Sequence, residues 1–144
     1  MSSGSSAPEI SFDTGLLPLT VGPFLCTSLL GKGGQGLVFR ARKQTSSSSS
    51  EDVALKCVYI DTLSESAVEH LREEVNCMRN IRGGAYVVSL RAVHTDFTLD
   101  GRPILALEME LCEQGALFRY MFHLGKPFDE KLARSFFRML IQGL

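Results

Sequence analysis

The chain has no tryptophan, only three histidines and four cysteines, and no long stretch of uninterrupted apolar residues. A membrane-spanning helix needs ~20 such residues in a row, so none is expected, and no membrane partner with it. Net charge is −1 and no long run of Lys or Arg occurs, which argues against a nucleic-acid surface. His70, His94 and His123 are scattered, and Cys26, Cys57, Cys77 and Cys112 show no C-x-x-C spacing. This excludes a sequence-legible zinc site or disulfide framework and points to reduced, largely buried thiols in an intracellular, cytoplasmic protein. The start, Met1 to Pro8, has no basic segment followed by an apolar one, so it does not read as a secretory signal.

What is present suits one domain or one lobe: 144 residues, 44% of them hydrophobic, can bury a core. Residues 1–20 are Ser-, Gly- and Pro-containing and read as a flexible leader. Strand-like composition begins at Phe24–Leu30, breaks at a cluster of glycines and resumes at Leu37–Arg42, a hairpin with a glycine-rich tip. Ser46–Ser50 reads as a low-complexity surface-loop insertion. Asp52–Ile60 is a third strand. Thr62 and Glu65 read as a capping box opening a helix that buries Val68, Leu71, Val75 and Met78 and stops at Arg82-Gly83-Gly84. Val87–Val93 and Pro103–Met109 are two more strands, with Asp100-Gly101 as a turn between them. Two helices follow, over Ala116–Phe122 and Asp129–Leu144; the second aligns Leu132, Phe136, Met139, Leu140 and Leu144 on one face.

The chemistry sits in Gly31-Lys32-Gly33-Gly34-Gln35-Gly36-Leu37-Val38 and in Val53-Ala54-Leu55-Lys56. A glycine-rich tip lets backbone amides approach phosphate oxygens with no Cβ in the way. The G-x-G-x-x-G spacing alone also fits a dinucleotide-binding turn, but that motif requires a helix directly after the glycines. Here a strand follows, and its Val38 is placed to pack on an adenine ring. Lys56, between Leu55 and Cys57, is a strand lysine suited to orienting phosphates when a helix carboxylate holds it. Glu73 and Glu74 are the candidates, and the phase of Leu71, Val75 and Met78 favours Glu74.

With these residues the chain resembles a eukaryotic-type protein kinase over residues 22–144. The resemblance implies an α+β fold: a kinase-like N-terminal lobe, a five-stranded antiparallel sheet with one inserted helix, then two helices of a truncated helical lobe. In this division residues 1–20 are leader, 21–113 the first lobe and hinge, and 114–144 the start of the second lobe. Glu110-Leu111-Cys112-Glu113-Gln114-Gly115-Ala116-Leu117-Phe118 resembles the family's hinge. By that likeness Met109 lines the back of the adenine pocket, the Glu110 carbonyl and Cys112 amide meet the adenine edge, and Leu30, Val38 and Ala54 enclose the ring. Gly31, Gly33 and Gly36 with Lys56 and Glu74 complete the implied ATP site. Met78 and Leu90 match the family's internal hydrophobic spine. Phe128–Leu140 resembles the helix preceding the catalytic loop, in a texture similar to serine/threonine kinases of the calcium/calmodulin-dependent group.

Three departures accompany the likeness. Gln35 occupies a loop tip that more often carries an aromatic or small residue, and Gly84-Ala85-Tyr86 stands in place of H-P-N. No H-R-D-x-x-x-x-N or D-F-G occurs in the 144 residues, and no A-P-E follows the glycine-rich stretch, so the family's catalytic Asp and Mg²⁺ ligands are not among them. The expectation is the ATP-binding portion of a longer kinase, inactive alone, whose complete form uses Mg²⁺ and phosphorylates protein Ser/Thr hydroxyls. The alternative is a non-catalytic kinase-like module that docks a partner protein. On either reading the apolar face of the last helix is expected to fray or to drive self-association.

Overall fold

Period-two placement of apolar side chains on adjacent strands builds a sheet whose two faces differ chemically. The computed structural model describes residues 10–45, 51–81 and 83–144. Six strands, β1 (Leu19–Val21), β2 (Phe24–Lys32), β3 (Gly36–Lys43), β4 (Asp52–Tyr59), β5 (Leu90–Leu99) and β6 (Arg102–Glu110), form one antiparallel sheet in the order β1-β2-β3-β4-β6-β5. The sheet curls until β1 touches β5. On its inner face Phe24, Cys26, Leu37, Phe39, Leu55, Cys57, Ile104 and Ala106 are all but inaccessible and make the main core. At roughly 1.5–3 kcal/mol per large buried side chain, this face dominates the lobe's stability.

The opposite face carries a second, smaller cluster: Leu90, Leu107 and Val75, with Met78, Val93, Leu105 and Met109 packed around them. Here helix α1 (Glu65–Asn80) lies against the sheet through the buried side chains of Leu71 and Val75. Lys56 stands opposite Leu107, Ala54 opposite Met109 and Val38 opposite Lys56, so all three belong to this second face.

Two more helices, α2 (Leu117–Leu124) and α3 (Glu130–Gly143), follow the last strand. Asp129 caps α3, its Oδ1 accepting from the Leu132 amide at 2.8 Å. Tyr120 of α2, Phe128 just before α3, and Phe136 within α3 form an aromatic cluster with ring centroids 5.1–6.0 Å apart. Among the described residues no helix is long and apolar enough to cross a membrane.

The fold class and its elements agree with expectation, but several details differ. The sheet has six strands rather than five, because the three-residue β1 is too short to show a pattern. From Ile10 onward the expected leader is packed: Ile10, Phe12, Leu17 and Leu19 lie against the main core. Ser64, not Thr62, caps α1, accepting from the Ala67 amide at 3.3 Å. Glu65 is therefore the first helical residue and cannot serve as the third-position partner of a capping box. Val68 is 41% exposed. The fifth strand runs Leu90–Leu99 instead of Val87–Val93, with a register shift between His94 and Phe97. Cys26 and Cys57 are buried, whereas Cys77 and Cys112 are exposed. On α3 the half-covered stripe is Leu132, Phe136, Met139 and Gly143, while Leu140 and Leu144 rotate off it into solvent. Gly143 is used for close approach: a Cβ there would sit 3.0 Å from the Tyr86 carbonyl oxygen. The Ser46–Ser50 run lies outside the described residues.

Candidate functional site

The β2–β3 hairpin brings the glycines together. Gly31 opposes Val38, and the tip closes where the Gly33 amide donates to the Gly36 carbonyl at 2.9 Å. The four tip glycines are glycine for different reasons. None has a left-handed φ. At Gly36 a Cβ would lie 2.0 Å from the Cys57 carbonyl oxygen, so β4 itself excludes a side chain. At Gly31 and Gly34 a Cβ would meet nothing within 4 Å, and at Gly33 only the Gly36 carbonyl oxygen at 4.0 Å. Local packing and backbone conformation leave those three positions unexplained. What the missing side chains do leave is main chain open to an approaching anion.

Lys56 lies across from this hairpin. Its neighbours on β4 turn their side chains into the main core, so Lys56 must point to the α1 side. There Lys56 Nζ donates to Glu74 Oε1 at 2.8 Å, from a half-buried side chain to a more exposed one. The helix phase that buries Leu71 and Val75 brings Glu74, and not Glu73, to the lysine. The result is a cation held at a fixed place on the same face as Val38 and Ala54, with Met109 half-buried between Ala54 and Leu90.

The segment after β6 is anchored by side chain and backbone together. Glu110 Oε1 accepts from the Ser89 amide at 2.9 Å, and the Glu110 amide donates to the Ser89 carbonyl at 3.0 Å. The Cys112 carbonyl accepts from the Gly115 amide at 3.3 Å. Glu110 and Cys112 also line a cavity of about 460 Å³ with Tyr86, Val88 and Ser89. Leu30 sits at the β2 register shift between Leu29 and Gly31 and is 47% exposed, an apolar side chain over the open face. A separate cavity of about 550 Å³ lies behind α1, lined by Ile60, Leu63, Leu71, Val75, Val93 and Leu105 among others; neither the glycines nor Lys56 contribute to it.

One group was missed from sequence. Arg40, two residues beyond Val38 and on the same face, donates from Nε to Asp52 Oδ2 at 2.7 Å and from Nη2 to Glu113 Oε1 at 3.3 Å. It ties β3 to the segment after β6. Hydrogen bonds from Arg42 and Arg40 hold the Asp52 carboxyl below the usual carboxylate range. The i+2 spacing from Val38 signalled its face, but its partner, 73 residues away, had no local signature. Among the described residues no group of three or more His, Cys, Asp or Glu side chains could hold a metal ion, so no Mg²⁺ position is assigned.

A bare-backbone hairpin, a carboxylate-held lysine and an apolar platform lie together on one side of the lobe, a set able to meet an anion and an apolar ring. Comparison with known proteins gives the same direction. The family model of the protein kinase domain matches residues 24–144. Serine/threonine-protein kinase ULK3 of Homo sapiens is 34% identical over 123 residues, covering 84% of this chain and 24% of its own length. Serine/threonine-protein kinase PLK4 of Drosophila ananassae is 30% identical over 126 residues, 87% of this chain and 15% of its own. Cyclin-dependent kinase 20 of Homo sapiens is 29% identical over 115 residues, 80% of this chain and 31% of its own. The chain thus spans about a quarter of the length of ULK3. With the match running from the first strand of the glycine hairpin to Leu144, the chain belongs to the protein kinase family.

Proposed function

We propose that this chain is the ATP-binding part of a serine/threonine protein kinase. The observation that carries the reading is the Lys56–Glu74 pair at 2.8 Å, next to a hairpin whose Gly31, Gly33 and Gly34 have missing side chains that no neighbour requires. In this assignment Gly31, Gly33 and Gly36 cover the phosphates with main-chain amides while Lys56 neutralises and orients them. Leu30, Val38 and Ala54 enclose the adenine, Met109 closes the back, and the Glu110 carbonyl and Cys112 amide meet its edge. Glu74 holds Lys56 extended, so the cation need not be reorganised when the phosphates arrive.

Mg²⁺ in the complete enzyme supplies further charge neutralisation. Its ligands and the catalytic Asp belong to motifs that are not among these 144 residues. Phosphoryl transfer to a protein Ser/Thr hydroxyl is therefore assigned to the kinase that contains them, and these residues alone are expected not to turn over. Use of ATP and four unpaired thiols suit an intracellular setting.

The test is a titration of the unaltered chain and Lys56→Ala with ATP and with adenosine. Losing the lysine should weaken ATP about ten- to a hundredfold, the range of 1.5–3 kcal/mol for a charged hydrogen bond, and leave adenosine nearly unchanged. Equal loss for both ligands would refute the phosphate role.

A second reading, a kinase-like module that docks a partner or itself, is favoured by one observation. Phe118, Phe122, Phe137, Leu140 and Leu144 on α2 and α3 are 61–95% exposed. Sedimentation across a concentration series discriminates: a dimer that α3 charge substitutions dissolve supports association, and a monomer throughout opposes it.

A further inference from the structure

The kinase-domain match begins at residue 24, yet residues 10–21 are built into the main core. Phe12 meets Phe39 edge-on at 5.2 Å, Ile10, Leu17 and Leu19 pack on the same cluster, and Val21 is fully buried. The segment has its own internal ties. Asp13 Oδ1 accepts from the Gly15 amide at 2.8 Å, and the Leu17 amide donates to the Thr14 carbonyl at 3.2 Å. Its last residues pair with the base of β2, Leu19 opposite Cys26 and Val21 opposite Phe24. At the connecting turn Gly22 takes a left-handed φ of 52°, and a Cβ there would overlap the Phe97 ring at 2.5 Å, so the turn is pressed against β5.

The two strands gripped in this way are the two that carry the glycine tip. β2 is held at its base by β1. β3 is held through Phe39, whose neighbour Val38 stands opposite both Gly31 and Lys56. Above that grip β2 passes two register shifts before the tip, where Gly31, Gly33 and Gly34 lack packed neighbours. The hairpin is thus fixed at its base and loose at its end.

We infer that residues 10–21 are a strap that positions the glycine hairpin over the phosphates, with Phe12 a positioning residue acting through Phe39. The inference rests on the nucleotide reading above. A tip on a rigid base has less conformational freedom to lose when amides close on an anion, so loosening the base weakens phosphate contacts selectively. Of the assigned adenine contacts only Leu30 and Val38 lie on the hairpin, whereas Ala54, Met109 and the segment after β6 lie on other elements, so adenine binding depends on the strap less than phosphate binding does.

The experiment titrates the full chain and its Phe12→Ala variant with ATP and with adenosine, and follows amide hydrogen exchange in parallel. Phe12→Ala should weaken ATP about three- to tenfold, the ordering cost of about one flexible side chain. Adenosine affinity should stay within twofold, and amides 31–36 should exchange faster while those of α1 do not. Phe12→Leu, which keeps an apolar side chain but loses the edge-on ring, gives a milder variant if the alanine form fails to fold; it should shift the same ratio in the same direction. An unchanged ATP-to-adenosine ratio in both variants would overturn the strap's positioning role and leave it as core packing alone. Failure of the unaltered chain to bind any nucleotide would overturn both readings, and is told apart from failure of the strap by that control.

Discussion

Alanine at Gly36 and alanine at Gly31 should have opposite consequences, although both belong to one glycine motif. At Gly36 the new methyl would lie 2.0 Å from the Cys57 carbonyl oxygen, 2.9 Å from its carbon and 3.0 Å from the Val58 Cα. All three are main-chain atoms of the neighbouring strand, so no side-chain rotation relieves the overlap, and β3 must move away from β4. Overpacking costs typically ~1–3 kcal/mol, and a backbone clash belongs at the upper end. For a chain of 144 residues, with an unfolding entropy of ~2.1 cal/mol/K per residue, about 3 kcal/mol corresponds to a fall of about 10 °C in Tm. Gly31→Ala meets nothing within 4 Å and has no left-handed φ to strain, so its Tm should hold or rise by a degree or two. Its cost should appear in ATP affinity, where the methyl stands between the backbone and a phosphate. Differential scanning fluorimetry reads the first effect and calorimetric titration the second. A Gly36→Ala protein with unaltered Tm would refute the packing argument, and a Gly31→Ala protein with unaltered ATP affinity would refute the phosphate argument.

Other consequences can be checked independently. Burial pushes the Cys26 and Cys57 thiols up to about 11 and about 12, so a thiol reagent at pH 8 should label Cys77 and Cys112 first; ATP should slow labelling at Cys112 but not at Cys77, and equal protection at both would contradict the adenine assignment. Ser64→Ala should cost about 1 kcal/mol through loss of the α1 cap, while Thr62→Ala should stay within about 0.5 kcal/mol; urea unfolding of the pair tests which residue caps. The Asp52 carboxyl, held low by Arg42 and Arg40, contributes stability above its unfolded value near pH 4, lost as pH falls through its lower folded value. Asp52→Asn should therefore be less stable at pH 7, with the gap closing below pH 4. A gap that stayed constant with pH would contradict the ionic assignment.

Much of this was legible in the sequence from composition and from one periodicity. Strand-like composition broken by glycines marked the hairpin, and β-branched and aromatic residues marked β4, where Lys56 stands between Leu55 and Cys57. The 3.6-residue phase of Leu71, Val75 and Met78 placed Glu74 toward the sheet, where the lysine meets it. What escaped has no period. Ile10, Phe12, Leu17 and Leu19 are irregularly spaced, and they pack on the core of a sheet curled so that β1 meets β5, far away in sequence. Arg40 and Glu113 meet across the fold, and neither has a local reason to pair. On α3 the apolar residues span more than one stripe, and Gly143 packs on the Tyr86 carbonyl because it has no side chain, a contact no hydropathy pattern records.

The central claim is that a nucleotide lies on the second sheet face with its phosphates at the glycine tip. Amide chemical-shift mapping of the ¹⁵N-labelled chain, titrated with a non-hydrolysable ATP analogue and then with adenosine, tests it most directly. Both ligands should move Ala54 and residues 109–112, while only the triphosphate should move Gly31, Gly33, Gly34 and Lys56. Shifts confined to the cavity behind α1 or to α2 and α3, with the glycine tip unmoved by the triphosphate, would contradict it.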